Sequence, residues 1–293
     1  MNSLLGPSAY GWLMLAGILV SIALWSRVAK RDERLVLIYI AALASAFLGA
    51  KLVYLGAEGW LHWHDENRWV ILATGKSITG ALLGGYAAVE LAKRFAGYRS
   101  PTGDWFAIIA PVGIMLGRIG CVLHGCCLGN TCEPSWFTVN DAHGLARWPA
   151  AQVELLFNAT ALVVVVVLRS RTQKTETPSP PQEERVGERR QTAQVNNAGS
   201  RIETPLPALR SGEREIPSRA GGYVFAGQHF HLYLIAYGLF RFAHEFLRET
   251  PRVLGPITGY QIAALMIVGL GGAGFWIRQR QPTRDAITSS PSQ

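Results

Sequence analysis

Charge is what this 293-residue sequence has little of: Asp, Glu, Lys and Arg make up 16% of it, against about 25% in an ordinary soluble protein. That scarcity excludes a soluble domain with a normally charged surface. Two other absences narrow the field. The chain shows no internal repeat and no glycine-rich nucleotide-binding motif. It has only four cysteines, Cys121, Cys126, Cys127 and Cys132, with no C-x-x-C pair among them, so the pattern assigns neither a metal nor a cofactor.

What is there instead is apolar length: 49% of the residues are hydrophobic. Runs long enough to cross a bilayer, which takes about 20 helical residues, occupy 4–25, 35–56, 105–123, 151–168, 223–246 and 257–277. A seventh, 77–91, is short and rich in glycine, which is tolerated where helices pack closely in lipid. No Lys or Arg precedes the first run, and Arg27, Lys30, Arg31 and Arg34 follow it. This is the reverse of a secretory signal peptide and predicts a retained helix with its N-terminus outside. Threading the chain from there leaves 27–34, 92–104, 169–222 and 278–293 in the cytoplasm, with 20 of the 28 Lys and Arg residues. The outer loops hold few, among them Arg68, Lys76, Arg147 and Arg252. The expected fold is therefore an all-α integral membrane protein of seven transmembrane helices, N-terminus outside and C-terminus cytoplasmic. Its organisation is predicted as helices 1–5 with their outer loops over 1–168, a disordered Pro-, Ser- and charge-rich cytoplasmic insertion over 169–222, helices 6–7 over 223–277 and a tail over 278–293. The net charge of +8 then follows from orientation and anionic lipid heads, and a nucleic-acid partner is not expected.

Ionisable residues within apolar runs are costly and so point to function. Arg118 is the fourteenth residue of a run entered from the cytoplasm, which places it about 20 Å up, in the outer third of the bilayer. Arg241 falls at a similar height; Lys51, Thr79 and Glu154 lie near the outer ends of their own runs. Arg241, Glu245 and Arg248, spaced four and three apart, share one helix face, so that Glu245 can brace both guanidiniums. Such residues can simply hold helices together. Positive charge exceeds negative here, however, and the set also suits an anionic ligand; phosphate fits best, because guanidinium forks bind its oxygens in pairs and stay charged when desolvated.

The stretch GRIGCVLHGCCLG, 117–129, sets three of the four cysteines, Cys121, Cys126 and Cys127, beside Arg118 and His124, and Cys132 follows it. Four readings stay open: a disulfide from Cys126 or Cys127 to Cys132, small apolar filling of a tight helix end, a metal site using His124, and a redox or nucleophilic thiol. His62, His64 and His143 fall in outer loops, His229 and His231 near the inner end of the sixth run, and Trp60, Trp63, Trp69, Trp136 and Trp148 read as an outer aromatic belt.

GRIGCVLHGCCLG, with LGAKLVYLG, SITGALLGG and YGLFRFAHEFLRE, resembles the prolipoprotein diacylglyceryl transferase family. The likeness runs in order from Leu35 to Ile277 apart from the long insertion. It implies seven membrane helices, an outward N-terminus and a site open to the outer leaflet of the bacterial inner membrane. It also implies that Arg118 and Arg241 hold the lipid phosphate, that Gly120 and Gly129 are signature glycines, and that Glu245 and Arg248 line the site. Lys51 stands where the family usually has arginine. Three positions depart from the pattern: Thr79 replaces a histidine, Cys121 an asparagine and Cys126 a glutamate.

The resemblance implies transfer of a diacylglyceryl group from phosphatidylglycerol, or a similar anionic phospholipid, to the cysteine thiol of a lipoprotein-precursor peptide, forming a thioether. The expected site comprises Arg118, Arg241 and His124 as catalytic groups, His124 taking the thiol proton, with Lys51, Thr79, Gly120, Cys121, Cys126, Gly129, Glu154, Glu245 and Arg248 lining it. Two alternatives share the fold: a relative using another acceptor, and a non-catalytic or thiol-redox protein that binds anionic lipid. From composition alone, 169–222 is expected to be a tether. Replacing most of it with a short Gly/Ser linker should leave membrane insertion and activity unchanged; normal insertion with lost activity would assign it a further role.

Overall fold

The structure, a computed structural model, describes residues 8–30, 32–174 and 227–280. The chain divides into two compact units, one formed by 1–166 with 225–293 and the other by 167–224. Of the second, only the end of one helix lies within the described residues. The insertion expected over 169–222 lies outside them from residue 175 on; up to Lys174 it continues that helix, six residues past the predicted boundary.

The described residues are mostly helical. In chain order they form α1 (Ser8–Ala29), α2 (Arg34–Ala57), a short α3 (Arg68–Thr74), α4 (Ile78–Phe95), α5 (Gly103–His124), α6 (Ala150–Lys174), α7 (His229–His244) and α8 (Gly259–Gln279). Two small hairpins decorate them, β1 (Val139–Asn140) with β2 (Ala146–Arg147) and β3 (Arg252–Leu254) with β4 (Ile257–Thr258), both antiparallel. Five helices, α1, α2, α5, α6 and α8, are long and apolar enough to cross a membrane. The other two long ones are shorter or more charged: α4 has 18 residues and carries Glu90, Lys93 and Arg94 in its last turns, and α7 has 16. Leu15, Leu37, Ile40, Leu52, Val163 and Leu265 stand exposed on the span helices, as side chains that meet lipid do.

Helix ends follow local chemistry. Ser77 caps α4 by accepting the Gly80 amide, and Thr258 and Gln261 close a reciprocal capping box at the start of α8. α5 stops at Gly125, whose φ of 69° is the left-handed conformation that glycine adopts freely.

Glycine also explains how the helices pair. In lipid, helices gain little from burying apolar side chains against one another, so close backbone approach through small residues takes over. Gly49 on α2 meets Gly80 and Gly84 on α4, backbone against backbone. Gly120 on α5 lies under the ring of Tyr10 on α1, and Gly238 on α7 lies against the Ala264 carbonyl and Val268 on α8. Between the helices sits one apolar core that includes Trp25, Leu35, Ile38, Phe106, Leu234 and Ile267. A polar tie joins the start of α5 to the start of α7: Asp104 accepts from the Gly227 amide at 3.0 Å and pairs with His229 Nδ1 at 2.8 Å.

A methyl group added at Gly80 would strike the Gly49 carbonyl oxygen and the Val53 side chain. Gly80→Ala is therefore expected to destabilise the protein by about 1–3 kcal/mol through overpacking. Thermal unfolding in detergent checks it, and an unchanged midpoint would refute close contact between α2 and α4.

Candidate functional site

The site is built around one carboxylate. Glu154, in the second turn of α6, has no exposed surface. Its Oε2 lies 2.7 Å from Arg118 Nη2 on α5 and 3.9 Å from both Arg241 Nη1 on α7 and Arg248 Nη1 just beyond it. Its Oε1 accepts from Tyr237 at 2.7 Å. A second buried carboxylate, Glu245, pairs with Arg241 Nη2 at 2.8 Å and lies 3.8 Å from Arg248 Nε, while its other oxygen accepts from Thr250 at 2.7 Å. One turn further along α6, Asn158 donates to the Glu154 carbonyl and accepts from Tyr233, which fixes the helix that presents Glu154.

Three arginines thus face two carboxylates, a surplus of one positive charge in a region withdrawn from water. The hydrogen bonding is incomplete in a telling way. Arg118 Nε, Arg241 Nη1, and Arg248 Nε and Nη1 are buried and have no hydrogen-bond partner among the described residues. The close Arg118 to Glu154 contact is an ion pair without an aligned hydrogen bond, since Glu154 Oε2 is itself without one. Buried guanidinium N–H groups normally find acceptors; these have the number and charge to receive an oxyanion. Beside Glu245 and Arg248 opens a cavity of about 480 Å³, lined also by Asn130, Thr250, Arg252 and Gln261.

Three segments outside the long helices hold this wall. The Gly129 amide donates to the Trp148 carbonyl at 2.8 Å, the Trp148 amide to the Asn130 carbonyl at 3.0 Å, and the Asn130 amide to the Leu247 carbonyl at 3.0 Å. Gly129 has to be glycine, because a side chain there would strike the Leu247 carbonyl and Trp148. Arg147 clips the edge, pairing with Asp141 at 2.9 Å and Glu249 at 2.6 Å. The Arg147 hydrogen bond holds the Asp141 carboxyl below the usual carboxylate range, so this clip persists at neutral pH and opens only in acid.

The structure brings Arg118, Arg241, Glu154, Glu245 and Arg248 into one network. Cys121 touches it through a long contact, 3.8 Å from Arg118 Nη1 to Sγ. Of the other expected residues, Gly120 follows Arg118 on its helix and Gly129 lies in the wall, bridged to Arg248, while Lys51 and Thr79 make their hydrogen bonds elsewhere. Lys51 donates to the carbonyls of Leu72, Ala73 and Gly75, capping the end of α3, and the buried Thr79 hydroxyl shares a hydrogen bond with Ser77 at 2.7 Å. His124, the last residue of α5, is exposed. Cys126 follows the Gly125 turn with its amide on the Cys121 carbonyl. All four cysteines are free thiols, so the disulfide reading to Cys132 is not realised.

Sequence reading assigned Trp148 to the aromatic belt and passed over His244. Trp148 is half-buried, and its Nε1 donates to His244 Nε2 at 3.1 Å, while His244 stacks on Phe240. That bond occupies the Nε2 lone pair, so His244 serves to hold Trp148 and the 147–148 segment in place. Its position three residues after Arg241, on the same helix face, was the available signal.

A helical protein with several apolar helices of spanning length and a buried cluster of arginines and carboxylates belongs with multi-pass membrane proteins. Comparison with known sequences narrows it. The sequence model of the prolipoprotein diacylglyceryl transferase family matches residues 5–182, and the chain belongs to that family of bacterial inner-membrane enzymes. It is 27% identical over 223 residues to the phosphatidylglycerol–prolipoprotein diacylglyceryl transferase of Pseudoalteromonas translucida, an alignment covering 73% of this chain and 64% of that protein. It is 26% identical over 129 residues to the protein of the same name from Dehalococcoides mccartyi, covering 41% of this chain and 48% of the relative. The chain thus spans just under two thirds of the first relative's length.

Removing Glu154 would leave three arginines facing one carboxylate. Glu154→Ala is expected to cost about 3–5 kcal/mol, as loss of one partner from a buried ion pair does. Tyr237→Phe, which removes one hydrogen bond to the same carboxylate, should cost about 1.5–3 kcal/mol. Unfolding of both variants in the same detergent provides the check; the reverse order would show that Glu154 does not organise the site.

Proposed function

We propose that this chain transfers the diacylglyceryl group of phosphatidylglycerol to a cysteine of a lipoprotein-precursor peptide, working from the outer leaflet with seven spans, an outward N-terminus and a cytoplasmic C-terminus. The observation that carries the reading is the surplus arginine charge, with four buried guanidinium nitrogens that have no hydrogen-bond partner among the described residues. The names of the two relatives support it.

The lipid phosphate enters between Arg118, Arg241 and Arg248. The acceptor thiolate attacks the glyceryl carbon, the carbon–oxygen bond breaks, and the electron pair leaves with the glycerol phosphate. Negative charge grows on that leaving group, so guanidiniums already fixed by Glu154 and Glu245 stabilise the transition state more than the bound lipid. The carboxylates hold the arginines apart and aimed, and they prevent collapse of the empty site. A thiol of pKa about 8.5 is mostly protonated at neutral pH, and His124, exposed at the outer end of α5, takes its proton. Lys51 and Thr79 act at a distance, Lys51 by fixing the α3 turn and Thr79 through Ser77 at the start of α4. Gly120, Gly129, Cys121 and Cys126 shape the wall beside Arg118.

The test is purified protein in phosphatidylglycerol vesicles with a synthetic precursor peptide, the mass gain on the peptide cysteine being the readout. Arg118→Ala and Arg241→Ala should each lower transfer by at least about 100-fold, measured per folded chain because each also removes a partner from a buried carboxylate. Arg118→Lys should fail as well, because a point charge loses the paired fork. His124→Ala should lose about 100-fold; full activity there would move the base elsewhere. Lipid bound through both arginines with no transfer to any thiol peptide would make the chain a lipid-binding protein.

A further inference from the structure

Beyond the arginine network, the turn that ends α5 gathers three thiols. The Sγ atoms of Cys121, Cys126 and Cys127 all lie within 4.8 Å of one another. Cys121 is buried and the other two are half-buried. The backbone between them is bent to achieve this. Gly125 takes a φ of 69°, and Cys127 is the one non-glycine among the described residues with positive φ, at 60°, a conformation that costs a side-chain-bearing residue about 1 kcal/mol or more. The Cys126 amide returns to the Cys121 carbonyl, folding the C-C pair back over the last turn of the helix.

We propose that Cys121, Cys126 and Cys127 form a site for one thiophilic d10 cation of the Zn2+ class, held by three thiolates with the fourth tetrahedral position open to a ligand from solution. Metal–sulfur bonds of about 2.3 Å set sulfur atoms about 3.8 Å apart around a tetrahedral ion, so closing on the ion needs a shift of no more than about an ångström. Soft thiolate donors select Zn2+ or Cu+ over hard cations such as Mg2+. Three thiolates around a divalent ion carry one net negative charge, and the Arg118 guanidinium faces it, 3.8 Å from Cys121 Sγ. The ligand set excludes His124, and Cys132, exposed and directed at the Ala146 carbonyl, has no part in it. The inference is independent of the transferase reading, since it concerns metal content alone.

The experiment uses the full chain in detergent, reduced, stripped with chelator, loaded with Zn2+ and desalted, with metal per chain measured by mass spectrometry. One Zn2+ per chain is expected. Cobalt substitution should add thiolate-to-metal charge-transfer absorption and the visible bands of a tetrahedral ion. Cys121→Ser, Cys126→Ser and Cys127→Ser should each weaken Zn2+ binding by more than the 10–100-fold that loss of an outer supporting partner costs, whereas Cys132→Ser should bind as the parent does. Because a serine variant can fail to fold, alkylation of the unmutated protein supplies the second measurement: Zn2+ should protect Cys126 and Cys127 and leave Cys132 open. The proposal is overturned by a reduced chain that retains no Zn2+, by undiminished binding in the triple serine variant, by equal alkylation with and without Zn2+, or by a disulfide among the three thiols in protein isolated without reductant.

Discussion

The ion pair between Arg118 and Glu154 sets the terms for the rest of this protein. An arginine withdrawn from water keeps its charge, so it needs an opposite charge close by. Glu154 provides it at 2.7 Å from a different helix, and its own burial then has to be met by further donors. Tyr237 gives one hydroxyl, and Arg241 and Arg248 give two more guanidiniums, which in turn call for Glu245. Each added group answers a need created by the one before, and the sequence stops one negative charge short. That unmet charge, counted among the described residues, is the one the proposed lipid phosphate would answer.

The long helices make such a network possible by removing freedom from it. α5, α6 and α7 each carry one or more of its members, and a shift of any of these helices would lengthen a contact. Glycine-mediated contact, at Gly49 with Gly80 and at Gly238 with Ala264, lets the backbones approach closely enough for the helices to hold one another rigidly. The same rule explains Gly120: the Tyr10 ring on α1 occupies the space a side chain would need, directly beside Arg118.

Much of this was legible in the chain itself, for identifiable reasons. Apolar runs give helices, and an arginine inside one is conspicuous, so counting residues along the runs put Arg118, Arg241 and Glu154 at one level. The spacing of Arg241 and Glu245 pointed to their pairing, because the helical period is fixed; Arg248 joins them from beyond a 3-10 turn, Glu245–Leu247, which the spacing did not show. Contacts between segments distant in sequence left no such trace. Nothing periodic links residues 129–130, 148 and 247, so the weave around Trp148 was invisible, and Trp148 was read by the habit of its residue type. Lys51 and Thr79 were placed by depth alone, and depth does not say which way a side chain points. The thiols were hardest. Searching for separated pairs looks for a site that spacing already builds, whereas here a left-handed turn at Gly125 and Cys127 does the pairing.

The weave of 129–130, 148 and 247 has a mechanical side. Its backbone hydrogen bonds couple the connection after α5, the approach to α6 and the exit from α7 into one plate, with Arg147 riveting the rim to Asp141 and Glu249. A plate held at three edges does not bend locally. The β3–β4 hairpin completes the cavity beside Arg248, adding Arg252, Pro256 and Thr258 to its lining.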